Sequence, residues 1–245
     1  MKVLVVYAHH NPRSFTHAVL GQVTKGLQDG GHSCTVNDLN AIGFDPVFRP
    51  EDGVQFAHES VPEELLEEMN PGAAVLEMAG GPIRRWMAKR WLRDKDVHEI
   101  VREIGKHKPK DVLEQQALVA DAEALVFVAP VFWMGFPAIL KGWVERVFTY
   151  GFAYTLDREG WKGNLDGRVP MLTQEKGLVL TPTFFTEEEY DKGWREAVDT
   201  VLCDWGLKMA GVKEAHHTYF YAVTAASEEQ RQEYLHEAYR LGREF

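Results

Sequence analysis

The stretch of sequence that decides the fold is Ala-Pro-Val-Phe-Trp-Met-Gly-Phe-Pro-Ala-Ile-Leu-Lys-Gly-Trp, which runs from Ala129 to Trp143. The apolar run 124–128 precedes it, and an amphipathic stretch that ends near Phe148 follows it. An apolar strand, an aromatic loop bounded by proline and glycine, and then a helix are typical of a ligand-binding loop at the carboxyl edge of a parallel sheet. A hydrophobic crossover through the core is the alternative interpretation of such an apolar loop.

The loop in this stretch has no side chains for acid–base chemistry. It offers aromatic surface and backbone N–H groups, which suit a planar cofactor with hydrogen-bonding edges. We therefore expect a cofactor-binding loop made of Pro130, Val131, Phe132, Trp133, Met134 and Gly135.

The N-terminal segment predicts a second ligand loop. Residues 2–7 form a short apolar run, and a polar loop with His9, Arg13 and Ser14 follows. Apolar residues then recur at helical spacing as far as Gly30-Gly31, a typical helix stop. Ser14 can cap this helix, and the N–H groups at a helix N-terminus favour a phosphate, to which Arg13 or a histidine can add positive charge.

Strands alternate with helices along the chain, which predicts an α/β fold with a doubly wound, five-stranded parallel sheet in the order 2-1-3-4-5. The predicted strands are residues 2–7, 32–37, 124–128, 177–180 and 215–221; the predicted helices are 15–28, 111–121, 138–150, 187–205 and 228–241. This winding places three loops side by side: 9–15, 130–136 and 181–186. We expect residues 1–245 to form one domain, with a helical segment at about 61–110 that falls outside the alternation.

Composition restricts the class of protein. A net charge of −10 argues against a nucleic-acid binder, which needs a basic face. Two cysteines without ligand-like spacing predict neither a disulfide framework nor a metal site. Since the first strand starts immediately after Met1 and no membrane span is apparent, we expect a cytoplasmic protein.

These motifs together resemble the flavodoxin-like NAD(P)H:quinone oxidoreductases, the DT-diaphorase group. The matching positions are His9, Ser14-Phe15, Asp38-Leu39, 44–46, Pro130, Trp133, Gly135, 137–143, 145–148 and 152–155. The resemblance implies a flavin, two-electron reduction by NAD(P)H, a quinone-like planar acceptor, and a homodimer with its active site at the subunit interface. Because one face of the flavin is open in such a site, we expect donor and acceptor to bind in turn, in a ping-pong order.

The resemblance also assigns site residues. Tyr154 matches an aromatic wall contributed across the dimer. Tyr190 can stand in for the tyrosine that, together with a histidine, relays charge and protons in the group. The cofactor-binding residues it implies are His9, Ser14, Phe15, Thr16, Gln55, residues 130–135, Thr181, Thr183 and Phe184. Gln55 favours FAD, because its segment is similar to one that contacts the adenosine half; FMN is the alternative.

This chain departs from the group after the fourth strand. The group has a Thr-Thr-Gly-Gly loop there, whereas this chain has Thr-Pro-Thr-Phe-Phe-Thr at 181–186. Lys192 or Gly193 stands near the position of the group's histidine, so this chain lacks the histidine of that relay at the matching position. Either solvent or Tyr190 is left to protonate the product.

Relative to the group, residues 61–110 are an insertion. They are either a helical embellishment packed on the core or a lid or dimer-contact element that carries Trp86, Met87 and Trp91.

Three alternative functions stay open: an ancillary, flavin-binding subunit of a potassium-efflux transporter; an azo, nitro or flavin reductase; and a one-electron flavodoxin. On the helix after the aromatic loop, we expect Lys141, Glu145 and Arg146 to be surface or dimer-contact charges at helical spacing.

Overall fold

A computed structural model describes residues 1–49, 51–53, 58 and 60–245 of the chain. Its centre is a sheet of five parallel strands, β1 (Lys2–Tyr7), β2 (Ser33–Asp38), β3 (Ala124–Val128), β6 (Lys176–Pro182) and β7 (Glu214–Phe220). The strands lie in the order β2-β1-β3-β6-β7. The parallel five-stranded sheet expected from the sequence is confirmed.

Helices cover both faces of this sheet. One face packs on α1 (Phe15–Asp29) and α10 (Glu228–Arg243), and the other packs on α6 (Lys110–Asp121) and α7 (Ala138–Val147). Side chains of β1 alternate between the two cores, with Leu4 on the α6–α7 side and Val5 on the α1–α10 side. Burial on both faces explains why the central strands are apolar at nearly every position.

Between β2 and α6, the described residues form four α-helices: α2 (Glu63–Met69), α3 (Pro71–Met78), α4 (Pro82–Leu92) and α5 (Val97–Gly105). Asn70 separates α2 from α3 with a left-handed backbone (φ 45°) and caps α3 with its side chain. The apolar side of α5 packs inward through Ile100, Val101 and Ile104, whereas α4 has no buried residue. Trp86 and Met87 of α4 are both exposed.

The structure corrects the prediction of one helix over residues 187–205. Two short helices, α8 (Glu187–Tyr190) and α9 (Trp194–Asp199), are separated at Gly193, whose φ is 108°. A π-helix (Thr200–Leu207) then continues α9 beyond the predicted end. Gly193 marks the first break in the sequence, because glycine adopts positive φ readily, whereas the change from α9 to the π-helix has no such mark.

An antiparallel hairpin of β4 (Tyr154–Leu156) and β5 (Arg168–Pro170) was not predicted from the sequence. Each strand has only three residues, which is too short for an alternating pattern to show. Several predicted boundaries also differ by a few residues; β6, for example, continues through Thr181 to Pro182.

Arg146 is not the surface charge that helical spacing suggested, because its side chain is only 6% exposed. Its guanidinium donates to Asp52 (3.0 Å), to Asp111 (2.6 Å) and to the carbonyl oxygen of Asp45 (2.7 Å). It therefore joins α7 to the segment after β2 and to the first turn of α6. Lys141 and Glu145, in contrast, form an exposed pair.

Among the described residues, every helix is too short or too polar to span a lipid bilayer.

Candidate active site

A cleft of about 610 Å³ opens at the carboxyl edge of the parallel sheet. Three loops line it, those after β1, β3 and β6, and the start of α10 closes its fourth side. The lining includes these predicted residues: His9, Ser14, Phe15, Thr16, Pro130, Val131, Phe132, Thr183 and Phe184. The fold therefore brings together the three loops that the predicted winding placed side by side.

The loop after β1 ends in the N-terminus of α1. Ser14 is the N-cap, and its hydroxyl accepts a hydrogen bond from the N–H of His17 (3.2 Å). The remaining N–H groups of the first turn have no partner within a helix, so they are available to an anion in the cleft. Arg13 lines the cleft beside them and adds a positive charge.

His9 connects this loop to the aromatic loop, since its ring lies 6.2 Å from that of Phe132. Burial and the neighbouring His10 lower the pKa of His9, so the imidazole is neutral at pH 7. Its Nδ1 accepts the N–H of Asn11 (3.0 Å), which leaves the proton on Nε2. His9 thus offers a neutral N–H donor.

The loop after β3 forms a tight turn in which Phe132 and Gly135 exchange backbone hydrogen bonds (2.9 and 3.3 Å). The two central residues, Trp133 and Met134, both have positive φ (45° and 71°), a conformation that costs roughly 1–2 kcal/mol for each non-glycine residue. The Trp133 side chain is 98% exposed. A strained turn that presents an aromatic ring to solvent is an arrangement found at ligand sites.

The loop after β6 is held by hydrogen bonds rather than by glycine flexibility. The N–H of Thr183 donates to the carbonyl oxygen of Phe220 (2.8 Å), and its hydroxyl donates to that of Phe185 (2.9 Å). Phe184 is exposed beside the cleft. Thr181 points elsewhere: it is buried outside the lining, and its hydroxyl lies 2.8 Å from Nε2 of His217.

The start of α10 supplies cleft residues that the sequence analysis missed, Arg231 foremost among them. Its guanidinium donates to the carbonyl oxygens of Val223 (3.1 Å) and Thr224 (3.3 Å), and its charge is close to that of Glu228 (4.0 Å). The other missed residues are Val223, Thr224, Glu228, Gln232 and Leu235. A basic residue on the first turns of the last helix is the only signal that the sequence carries for this wall.

Besides Thr181, three predicted site residues lie away from the cleft or outside the described chain, whereas Trp133, Met134 and Gly135 complete the aromatic turn next to its lining residue Phe132. Tyr190 is 2% exposed and packs among Tyr219, Tyr221 and Trp194. Tyr154 packs against Tyr150 and under the guanidinium of Arg168 (4.3 Å). Gln55 lies outside the described residues.

The lining fits a flavin. An N-terminal helix turn with Arg13 and Arg231 nearby suits a phosphate, and Pro130, Phe132 and Phe184 provide apolar surface for a flat ring. The aromatic turn adds backbone N–H groups next to that surface. No cluster of metal-ligating side chains occurs in the part of the chain that the structure describes.

Comparison with known proteins agrees with this geometry. A sequence profile of the family described as flavodoxin-like fold matches residues 1–241. The chain belongs to this flavodoxin-like family.

Among curated proteins, the chain is similar to ribosyldihydronicotinamide dehydrogenase [quinone] of Mus musculus, with 26% identity over 230 residues, which are 94% of this chain and 85% of that protein. It is 30% identical to NAD(P)H dehydrogenase [quinone] 1 of Cavia porcellus over 176 residues, 72% of this chain but 53% of that protein. The match thus spans about half of the guinea-pig protein.

Among solved structures, the flavodoxin-like chain resembles the NAD(P)H:quinone oxidoreductase from Methanothermobacter marburgensis. The TM-score is 0.68 at 28% identity, and the match covers 99% of this chain and 94% of that one. The resemblance to flavodoxin-like quinone oxidoreductases inferred from the sequence motifs is therefore confirmed.

Proposed function

We propose that this flavodoxin-like protein is a flavin-dependent oxidoreductase that passes two electrons from NAD(P)H to quinones or similar planar acceptors. The observation that carries the proposal is the cleft itself, in which the N-terminus of α1 and the exposed aromatic turn 132–135 meet at one edge of the sheet. Similarity to proteins named as quinone dehydrogenases supports it.

The chain's own residues bind and orient the flavin. The first turn of α1, with Arg13 and Arg231, holds the phosphate, while the turn at Trp133 and Met134 and the loop after β6 hold the ring. A bound flavin supplies the capacity to accept a hydride and pass it on; the protein contributes position and hydrogen-bond donors. The neutral His9, with its proton on Nε2, is one such donor.

FAD is the flavin that we propose, with FMN as the alternative. Gln232 and Leu235 of α10 line the cleft in addition to the three loops, and they are available to the adenosine half of FAD. Chromatography of the flavin released from the purified protein distinguishes the two cofactors.

We also propose that the working protein is a homodimer with a shared site. α7 begins at the carboxyl edge of the sheet and returns the chain toward the amino edge, so Tyr154, which follows it, does not line its own chain's cleft. A second copy is then needed for Tyr154 to serve as a wall of the acceptor slot. Tyr190 stays a prediction as a catalytic residue, as does the division of the chain into one domain with an insertion at about 61–110.

The proposal is tested by replacing Ser14 with aspartate. Aspartate is as good an N-cap as serine, so α1 should stay folded. A carboxylate ~5 Å from a phosphate, at an effective dielectric of ~20, costs about 3 kcal/mol, roughly a hundredfold or more in the dissociation constant. We expect Ser14→Asp to lose the flavin absorbance that the wild-type protein shows.

Ser33→Asp is the matched control, because Ser33 is exposed at the opposite, amino end of β2. It should bind flavin like the wild type. A wild-type protein that binds no added flavin refutes the proposed function, and a Ser14→Asp variant with unchanged flavin affinity places the phosphate elsewhere.

A further inference from the structure

A buried polar cluster lies at the end of β6, next to the cleft but not part of its lining. It consists of Thr181, His217, Tyr219 and Asp199, the last residue of α9. The ring of His217 bridges two of them, with Nδ1 2.8 Å from Oδ1 of Asp199 and Nε2 2.8 Å from Oγ1 of Thr181. Tyr219 donates its hydroxyl to the same Asp199 oxygen (2.7 Å).

The protonation of this cluster follows from its surroundings. Burial lowers the pKa of His217 more than Asp199 raises it, so the imidazole is neutral. Burial opposes ionisation of Asp199, but hydrogen bonds from His217 and Tyr219 outweigh this and hold its pKa below the usual range. Nδ1–H therefore donates to a carboxylate, and Nε2 accepts the proton of Thr181.

The arrangement has the order hydroxyl, imidazole and carboxylate, which in some enzymes activates a nucleophile. That role does not fit here, because Thr181 is 1% exposed and no substrate reaches its oxygen. Packing alone does not explain these polar side chains, since apolar residues at the same positions would avoid the cost of burying a carboxylate and an imidazole. A role in moving charge fits better.

Two structural links connect the cluster to the cofactor loops. Thr181 is followed directly by Pro182 and Thr183, which line the cleft. Phe136, at the end of the aromatic loop, packs with Tyr190, Tyr219 and Val198 next to Asp199. The cluster therefore lies behind both of the loops proposed to hold the ring.

One end of the cluster is buried, and the other is in contact with solvent. The side chain of His217 is 1% exposed, whereas that of Asp199 is 36% exposed. Solvent therefore contacts the carboxylate that accepts from Nδ1, while the imidazole itself is screened from solvent. Asp199 also stands where α9 changes into the π-helix, a local departure that often accompanies functional sites.

We propose that the Thr181–His217–Asp199 cluster compensates charge during turnover: His217 takes up one proton from solvent when the bound flavin is reduced, and releases it when the acceptor is reduced. This inference rests on the proposed function. His217 is a positioning residue, since it acts through Thr181 and through its charge.

The proton and electron balance is as follows. NAD(P)H loses a hydride, which brings two electrons, one proton and one net negative charge to the site. The proton that His217 binds at Nε2 cancels this charge. The acceptor then gains the hydride and one proton from solvent, so two O–H bonds form, while the Nε2–H bond of His217 breaks and its proton returns to solvent. The sum is NAD(P)H plus quinone plus H⁺ giving NAD(P)⁺ plus hydroquinone.

Uptake of this proton reverses one hydrogen bond. Neutral Nε2 accepts from Thr181, whereas protonated Nε2 donates to Thr181, whose hydroxyl proton must then turn to another acceptor. A unit charge ~10 Å away at an effective dielectric of ~20 raises the proton affinity of an imidazole roughly tenfold.

Other titratable groups around His217 enter the same balance. Those on the elements packed against it are Tyr190 from α8, Arg195 and Asp199 from α9, Cys203 from the π-helix, and Tyr219 and Tyr221 from β7, with Glu187 and Asp191 paired to Arg195. Burial raises the pKa of Cys203 to about 11 and that of Tyr221 to about 12, so neither titrates near neutral pH. His217 is the group that changes charge there.

The test is the midpoint potential of the bound flavin as a function of pH, between about pH 5 and 8, where an imidazole titrates. Its slope counts the protons bound with two electrons. We expect His217→Gln to bind about one proton fewer than the wild type. His216→Gln is the control, because His216 is exposed on the opposite face of β7, and it should keep the wild-type slope.

NMR of the His217 ring in wild-type protein provides a second readout that needs no variant. We expect its titration to move upward by about one pH unit when the flavin is reduced, a tenfold change in proton affinity. Equal slopes for wild type and His217→Gln, or an unchanged ring titration, overturn the inference. Neither result affects the proposed function, which fails only if the protein binds no flavin or if NAD(P)H does not reduce it.

Discussion

Replacing Arg146 with methionine tests how the helix behind the aromatic loop is anchored. The guanidinium is buried and donates to Asp52, Asp111 and the carbonyl oxygen of Asp45. Methionine fills similar space but leaves the Asp52 side chain, 2% exposed, without its cationic partner. Removal of one member of a buried ion pair costs about 3–5 kcal/mol, so the ratio of folded to unfolded protein should fall by roughly two to four orders of magnitude.

The assay is urea unfolding followed by fluorescence, in which the fully buried Trp143 of the same helix reports on the core. Lys141→Met is the matched control on α7; its pair with Glu145 is exposed, so the variant should lose less than about 1 kcal/mol. Adding Asp52→Asn to Arg146→Met should recover part of the loss, since the amide that replaces the carboxylate carries no charge. Equal stability of Arg146→Met and Lys141→Met would refute the reasoning.

Two further predictions concern packing and kinetics. Gly142→Ala should lose about 1–3 kcal/mol, because a Cβ there would lie 2.2 Å from the carbonyl oxygen of Pro46; Gly21→Ala, where nothing lies within 4 Å, should gain about 0.5–1 kcal/mol in the same unfolding assay. If NAD(P)H and quinone use one slot in turn, double-reciprocal plots at several quinone concentrations should be parallel, and intersecting lines would show that both substrates bind together.

Much of the fold follows from local patterns in the sequence. The runs 2–7 and 124–128 are apolar at nearly every position, which is what burial between two helical layers requires, and both become central strands. The patterns fail where tertiary contacts decide. The helical spacing of Arg146 with Lys141 and Glu145 predicts an exposed side chain. Its charge can be buried because Asp52 and Asp111 lie close enough to pair with it.

The candidate site divides in the same way. Loops that follow strands 1, 3 and 4 of a doubly wound sheet must meet at its carboxyl edge, so their residues could be predicted from order along the chain. Arg231 could not be, because the wall made by α10 depends on how the last helix packs beside α1. The Thr181–His217–Asp199 cluster joins residues 18 and 36 positions apart, and no spacing rule connects them.

The loop after β6 shows how a departure from a family pattern can be compensated. A double glycine would leave backbone N–H groups free and flexible, whereas this chain holds Thr183 by two hydrogen bonds and packs Phe185 against Trp194. A rigid loop exposes fewer donors to the negative charge that arrives with a hydride. Something else must then balance that charge, and the cluster behind the loop contains a neutral imidazole whose partner Asp199 is in contact with solvent. The loss of flexible donors in front of β6 and the presence of a protonatable group behind it are, on this argument, two parts of one arrangement.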